Sequence, residues 1–445
     1  MRDDSETIFG LVVDAARALG VAEIEAIVAG SDEALTRFAN NAIHQNVAER
    51  TTHLSVRPVI GGRTARAATN RLSRDAIREV VAEAIAITKL TEPDEDLPPL
   101  AGPADYQGVE RWFEATARAT PEERARAVAE AIHAVEAAGQ TAAGIYSTGE
   151  SAFSLLNSRG VLARHTETMA RFSITAMAAD SSGWAKASAC DLAALNPLEL
   201  ALTAARKAAQ STAPRELPPG RYTVILEPAA VLDLTGQMFP DFSATAIRDG
   251  RSFLNDRIGK RIFGENITIH DDAGHPLQSG PPFDGEGVPR KRLTLVERGV
   301  VREVAYSRQA AALTGAAPTG HGFPLPNEFG EAPTNIVIAG GETSLEQMVA
   351  STDRGILVTR LWYIREVDPY EKIFTGMTRD GTFLIEGGRV TAGVRNFRFN
   401  QGLIEMLSNV EALSAPVRAS GEETYDMVAP AMKLRDFNFT ETTRF

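Results

Sequence analysis

The sequence predicts an α+β protein: an N-terminal α/β region of two small units, followed by a large, mainly antiparallel β domain. Three observations predict it. Helical and strand-like periodicities alternate as far as residue 212. A run rich in proline and acid interrupts them at 91–110, and beyond Gly220 short strand-like stretches recur between turn signals with few helices. At 445 residues the chain is longer than one hydrophobic core usually organises, so several domains are expected.

Within the first unit, residues 1–90, apolar side chains from Ile8 to Leu19 fall at helical spacing and Gly20 stops the helix. Short apolar segments at 24–29, 43–48 and 52–58 then read as a small antiparallel sheet, with Gly61-Gly62 as a turn. Ser73 caps a second helix running to about residue 88. The second unit, 111–212, opens at Thr120-Pro121-Glu122-Glu123, which supplies an N-cap, a first-turn proline and early acids. Strands are expected there at 142–149, 151–157 and 168–179, and a helix at 196–210. The third unit, 220–445, carries strand-like stretches at 222–226, 266–270, 292–296, 334–338, 355–359, 382–385 and 388–397. Its helical pieces fall near 228–238, 343–350 and 400–408.

The net charge of −12 disfavours nucleic acid and anionic membrane as partners, because a polyanion is repelled on average. The nearest approach to a basic run, Arg290-Lys291-Arg292, reads as the edge of a solvated strand rather than as a phosphate patch. The single cysteine, Cys190, permits no intrachain disulfide and reads as a small buried hydrophobe. Met1-Arg2-Asp3-Asp4-Ser5-Glu6 is too acidic for the start of a secretion signal, and no apolar stretch approaches the roughly 18 residues of a membrane span. A cytoplasmic location is expected.

Candidate chemistry is sparse. His270-Asp271-Asp272-Ala273-Gly274-His275 has the outline of a zinc-peptidase motif, an acid between two histidines. β-Branched Ile267, Thr268 and Ile269 before it and Pro276 after it instead predict a strand and an acidic turn, with the histidines pointing apart. Phe283-Asp284-Gly285-Glu286-Gly287 could hold a hard cation, but it lacks the alternating oxygen ligands of a calcium loop. Gly285 and Gly287 are expected to supply positive φ angles. Gly340-Gly341-Glu342-Thr343-Ser344 reads as a helix N-cap, and Asn335, Asn396 and Asn400 suit either a peptide backbone or turn capping. No nucleophile elbow, phosphate-binding loop or dinucleotide fingerprint is present.

The C-terminal half resembles the TldD/PmbA family through an ordered series. It runs from Phe283-Asp284-Gly285-Glu286-Gly287-Val288-Pro289 and Leu295-Val296-Glu297-Arg298-Gly299 to Thr319-Gly320-His321-Gly322. Pro333-Thr334-Asn335-Ile336, Gly340 through Glu346 and Gly381 through Gly388 complete it. Phe38-Ala39-Asn40-Asn41 and Ala67-Ala68-Thr69-Asn70 extend the resemblance to the N-terminal region. The family contains TldD-like chains, which carry HExxxH on a helix and a late further ligand, often cysteine. It also contains TldE (PmbA)-like chains, which lack these and pair with a TldD-like chain in a zinc peptidase. Here Thr235, Gly236 and Pro240 fall approximately where the two histidines and the glutamate would lie, and Val428 to Leu434 offers no cysteine. The resemblance therefore implies a TldE-like subtype with no catalytic or metal residues of its own, inactive alone, with zinc in a TldD-like partner.

What that implies is a non-catalytic subunit of a heterodimeric peptidase that completes a cavity for unfolded or small peptides. Two alternatives stand beside it. One is a homodimeric peptide-binding scaffold; the other is a peptidase with a divergent site built on His270, His275 and Asp272.

Overall fold

The computed structural model describes residues 4–443. Met1 to Asp3, half of the acidic stretch read above, lie outside the described residues, as do Arg444 and Phe445. The helix α1 (Ser5–Ala18) leads into β1 (Glu23–Ala39) and β2 (Ala42–Ile60), a long hairpin whose turn residues Asn40 and Asn41 have φ of 49° and 60°. Two successive positive φ values suit a two-residue hairpin turn, and asparagine tolerates them. Short β3 (Arg63–Thr64) and β4 (Ala67–Thr69) pair with β2, and α2 (Arg74–Leu90) follows with Ser73 Oγ accepting from the Ala76 N–H at 3.3 Å. After a single turn, α3 (Glu114–Ala117), Thr120 and Glu123 form a capping box on α4 (Pro121–Ala137). β5 (Thr141–Asn157), β6 (Leu162–Met177), β7 (Ser182–Ala189) and α5 (Pro197–Gln210) complete the N-terminal half.

The structure departs from the sequence reading in three ways here. Segments 43–48 and 52–58 belong to one strand, as do 142–149 and 151–157, because the main-chain ladder continues unbroken through the residues between them. β7 escaped notice: apart from Trp184 and Lys186 it is made of small residues beneath α5, so it has no large-apolar alternation. Residues 91–110 form a packed strap, with Leu100 and Ala101 buried, Ala101 O accepting from Asn157 Nδ2 at 2.9 Å, and Tyr106 Oη donating to Gly287 O at 2.8 Å.

β1 pairs with β5 from Glu25↔Asn157 to Phe38↔Gly144, so both N-terminal segments feed one seven-stranded antiparallel sheet in the order β3-β2-β1-β5-β6-β7, with β4 on β2. One face takes the helices. α1 and α2 cover Ile24, Ala26, Leu54 and Val56, while α4 and α5 cover Phe38, Tyr146, Phe172 and Ile174. Alternation sends Glu25, Ile27, Leu155, Ala163, Arg171 and Lys186 to the opposite face, toward the C-terminal half.

The C-terminal half begins with β8 (Gly220–Leu226), α6 (Pro228–Thr235) and α7 (Ala244–Arg248). β9 (Ile269–Asp271), β10 (Leu293–Glu297), β11 (Val300–Val301), α8 (Arg308–Thr314) and β12 (Ile336–Ile338) follow. Next come α9 (Leu345–Ala350), β13 (Arg354–Asp368), β14 (Ile373–Glu386), β15 (Arg389–Gly393), β16 (Phe397–Gly402) and α10 (Leu403–Ser408). The chain ends with β17 (Val410–Leu413), β18 (Val417–Ala419), β19 (Met427–Ala429) and β20 (Met432–Thr442). Strands β13, β8, β20, β16 and β14 pair in sequence, and β14 pairs back onto β13 to close a ring. β11-β10-β9-β12-β19-β18 form a second sheet, and pairing is antiparallel except at β8–β13 and β12–β19. Phe397, Phe399, Phe437 and Phe439 belong to the shared core. Among the described residues, no helix is long and apolar enough to cross a membrane.

Two groups of side chains lie next to each other where the halves meet. Phe283 is fully buried against Ile27, Leu155, Val161 and Ala163 of the sheet, with Tyr106 and Phe153 edge-on and stacked. Beside it, Arg57 donates to buried Glu25 through Nε and Nη2 at 3.1 and 3.0 Å, and Arg66 bridges Glu25 to the Leu325 carbonyl. Burial alone would raise the Glu25 carboxyl, but the two guanidiniums hold it below its usual value. Breaking a buried pair strands the partner charge, so Arg57→Met should cost about 3–5 kcal/mol in urea unfolding followed by circular dichroism. A loss below about 1 kcal/mol would mean that this pair behaves as a solvated surface pair rather than a buried one.

Candidate functional site

α6 occupies the stretch that the resemblance implies corresponds to the HExxxH of TldD-like chains. Val231, Leu232 and Leu234 bury its apolar residues, and the helix then tightens into a 3₁₀ turn over Gly236–Asp241. Pro240 explains the change, since it has no N–H to donate to the Gly236 carbonyl. The predicted helix at 228–238 is therefore two short pieces. Thr235 and Gly236 are buried and Pro240 is exposed. Thr235 Oγ1 donates to Val231 O at 2.8 Å, and a side chain on Gly236 would run into Thr424 and Met427. A hydroxyl committed to its own helix, a residue without a side chain and an imide ring give no ligand set for zinc and no general base.

The histidine candidates are placed apart in chemistry as well as in direction. His270 lies on β9, with Asp271 facing the opposite side of the strand. Burial, and then Arg292, hold the His270 ring below its ordinary value. Asp272 pairs with Arg292 at 3.2 Å, and His275 Nδ1 accepts from the Leu277 N–H at 3.2 Å within the turn. Among the described residues, no three His, Cys, Asp or Glu side chains are placed to hold a metal ion. Cys190 is half-buried, and burial pushes its thiol up.

The acidic glycine loop uses its carboxylates on its own backbone. Asp284 Oδ1 accepts from Glu286 and Val288 N–H, both at 2.9 Å, and Oδ2 from Gly322 N–H at 2.8 Å. Glu286 accepts from Arg308 N–H at 2.8 Å; burial, and then Asp284, push its carboxyl up to about 8, so it is neutral at pH 7. Gly287 has the expected positive φ of 78°, but Gly285 does not; a Cβ there would lie 2.4 Å from Pro324 N, so close approach requires the glycine.

What the structure does bring together is a cleft of about 510 Å³ between the N-terminal sheet and the C-terminal half. Arg171 and Lys186 enter from β6 and β7; Arg290, Asn335, Tyr425 and Asp426 form the other wall. Thr424 also lines it, and its hydroxyl donates to Leu232 O at 3.1 Å, which places α6 directly behind the wall. Beneath Asn335 and Tyr425 sits a buried His321–Asp271 pair, Nε2 to Oδ1 3.0 Å, with Asp271 Oδ2 accepting from Thr334 and Asn335 N–H. Nε2 and Oδ1 stand within that distance of each other, and neither makes a hydrogen bond to another group. Burial works to raise Asp271, yet His321, Arg290 and the backbone N–H donors hold it low. His321 Nδ1 contacts Thr319 Oγ1 at 3.0 Å. This resembles a catalytic triad only on paper, because both side chains have no exposed surface. Of these residues, the sequence reading singled out Asn335, and it placed Arg290 in a solvated strand edge. Instead Arg290 is half-buried, with Nε and Nη1 screened from solvent. Arg171 and Lys186 have no local motif and were missed.

One buried acid near the cleft gives a pH signature. Asp233 on α6 is fully buried; burial pushes its carboxyl from 3.8 up to about 6, against Glu422 and Glu423 N–H donors that both bind Oδ1. A raised carboxyl contributes its stabilisation in full below pH 3.8 and loses it as pH rises through about 6. Asp233→Asn keeps the Oδ1 acceptor, so it should flatten the dependence of Tm on pH between about pH 4 and pH 7 and add up to about 3 kcal/mol at pH 7. Identical slopes for variant and parent would contradict this assignment.

Three family models tile the chain: PmbA/TldA metallopeptidase domain 1 over residues 24–88, the central domain over 115–212 and the C-terminal domain over 219–441. A metalloprotease of Methanothermobacter thermautotrophicus is 26% identical over 66% of this chain and 67% of its own length. Another from Methanocaldococcus jannaschii is 26% identical, and the match spans about half (49%) of each chain. A PmbA-homolog metalloprotease of Haemophilus influenzae is 23% identical over 86% of this chain and 85% of its own. Among solved structures, TldE from Thermococcus kodakarensis matches with a TM-score of 0.87 at 22% identity, covering 97% of this chain and 99% of its own. A candidate modulator of a DNA gyrase from Thermotoga maritima gives 0.86 at 21% identity, covering 98% and 100%. With its three domains matched in order by the family's own models, this chain belongs to the PmbA/TldD metallopeptidase family.

Proposed function

We propose that this chain is a non-catalytic, TldE-like subunit of a cytoplasmic zinc peptidase, completing a cavity whose metal and general base come from a TldD-like partner. The observation that carries this reading is the chemistry of α6: Thr235 bonds its own helix, Gly236 is wedged against Thr424, and Pro240 breaks the helical pattern. The fold is that of the family, while the side chains at the family's metal position cannot ligate. Resemblance in fold to TldE from Thermococcus kodakarensis supports the same subtype.

Peptide binding is supported by an open strand edge. Beyond the hairpin turn, β2 from Ala42 to His53 pairs with β1 on one side, and no described strand pairs with its other side. Such an edge offers main-chain donors and acceptors to an extended peptide largely without regard to sequence.

The test is assembly and activity measured together. Purified alone, the chain should cleave no unfolded peptide and hold no stoichiometric zinc. Mixed with an HExxxH-bearing chain of the same family from the same genome, it should form a 1:1 complex by light scattering, with all zinc accounted for by the partner. One tightly held zinc per isolated chain, together with peptide cleavage, would overturn the proposal.

A further inference from the structure

The cleft beside α6 carries more positive charge than its own acids neutralise. Asp426 is the one carboxylate among the side chains that line it. That carboxylate is already committed: Oδ2 accepts from Arg418 Nη2 at 3.0 Å and from Ser188 Oγ at 2.8 Å, and Arg171 Nε stands 3.9 Å away. Lys186 Nζ donates to Gly421 O at 2.5 Å and Glu422 Oε1 at 3.2 Å at the rim. Arg290 is different. Its Nε and Nη1 have no protein hydrogen-bond partner although both are screened from solvent. The acids nearest in charge, Asp271 and Asp284, spend oxygens on backbone N–H groups and, in Asp271, on His321.

From this arrangement we infer that the cleft binds a single carboxylate, the free C-terminus of a peptide, through the guanidiniums of Arg290 and Arg171. Arg290 and Arg171 both line the cavity and supply positive charge for a carboxylate, and a charge-assisted hydrogen bond is among the stronger polar contacts. The cleft volume lies within the roughly 300–1,000 Å³ range of ligand sites, so a terminal segment fits where a folded surface does not. Glu422 and Asp426 at the rim, together with the net charge of −12, work against a polyanion. The inference rests on the peptide-binding reading above and adds a direction to it, since the C-terminus is anchored beside α6.

The experiment uses the full chain and an N-terminally fluorescein-labelled, unstructured ten-residue peptide made both as free acid and as C-terminal amide. Fluorescence anisotropy should give at least about tenfold tighter binding of the acid, as expected for one charge-assisted contact, and the gap should narrow with added salt. Arg290→Gln should bring the acid to the affinity of the amide while leaving the amide unchanged, and Arg290→Lys should retain part of the preference. Should Arg290→Gln fail to fold by circular dichroism, Arg171→Gln serves in its place with the same expected direction. Equal affinities for acid and amide, a preference that survives both glutamine variants, or no binding of either peptide would each overturn the inference. Assembly with the HExxxH-bearing chain is read on the same samples by light scattering. A complex that forms normally while acid and amide bind alike sinks the carboxylate site and leaves the subunit role standing.

Discussion

Strict alternation of side chains along the paired strands of the N-terminal sheet is the constraint on which everything else in this molecule depends. β1 and β5 pair over their length, so the parity of a residue decides whether it meets helices or the C-terminal half. Ile24 and Ala26 go to α1 and α2, while Glu25 and Ile27 go to the joint with Phe283. The same parity carries Arg171 and Lys186 into the cleft. A one-residue slip would empty the joint and the cleft wall together and bury the charges under helices.

Most of the residues that look chemical do structural work. Asp284 and Asp271 each accept backbone N–H groups from segments distant in sequence, and so pin loops that a small hydrophobic patch could not hold. Glu25, Arg57 and Arg66 do the same with charge at the joint. Buried pairs of this kind add little net stability over apolar packing, but losing one member is costly, so they fix geometry more than they add energy.

α6 shows how a helix of the family's fold is held in place by this chain's own residues. The helix still packs Val231, Leu232 and Leu234 into the core, and Asp233 still anchors the loop at Glu422 and Glu423. At 235 and 236 a hydroxyl bonded to its own helix and a glycine against Thr424 suit close packing. Overall shape at TM-scores near 0.87 therefore coexists with 22% identity.

Local chemistry determined much of this protein from sequence alone. The caps at Ser73 and Thr120, the stop at Gly20 and the strands around 224 and 295 are set by neighbours within a few residues, and all are seen in the structure. That positions 235, 236 and 240 hold Thr, Gly and Pro, none of them a ligand-type side chain for zinc, is likewise written in the residues themselves. Tertiary structure alone decided the rest. That 91–110 packs as a strap, that two N-terminal segments share one sheet, and that Arg171, Lys186 and Arg290 face one cavity depend on pairings across more than a hundred residues. Such contacts leave no local periodicity, because a strand's register is chosen by its partner and a cleft is lined by residues whose only relation is to meet in space.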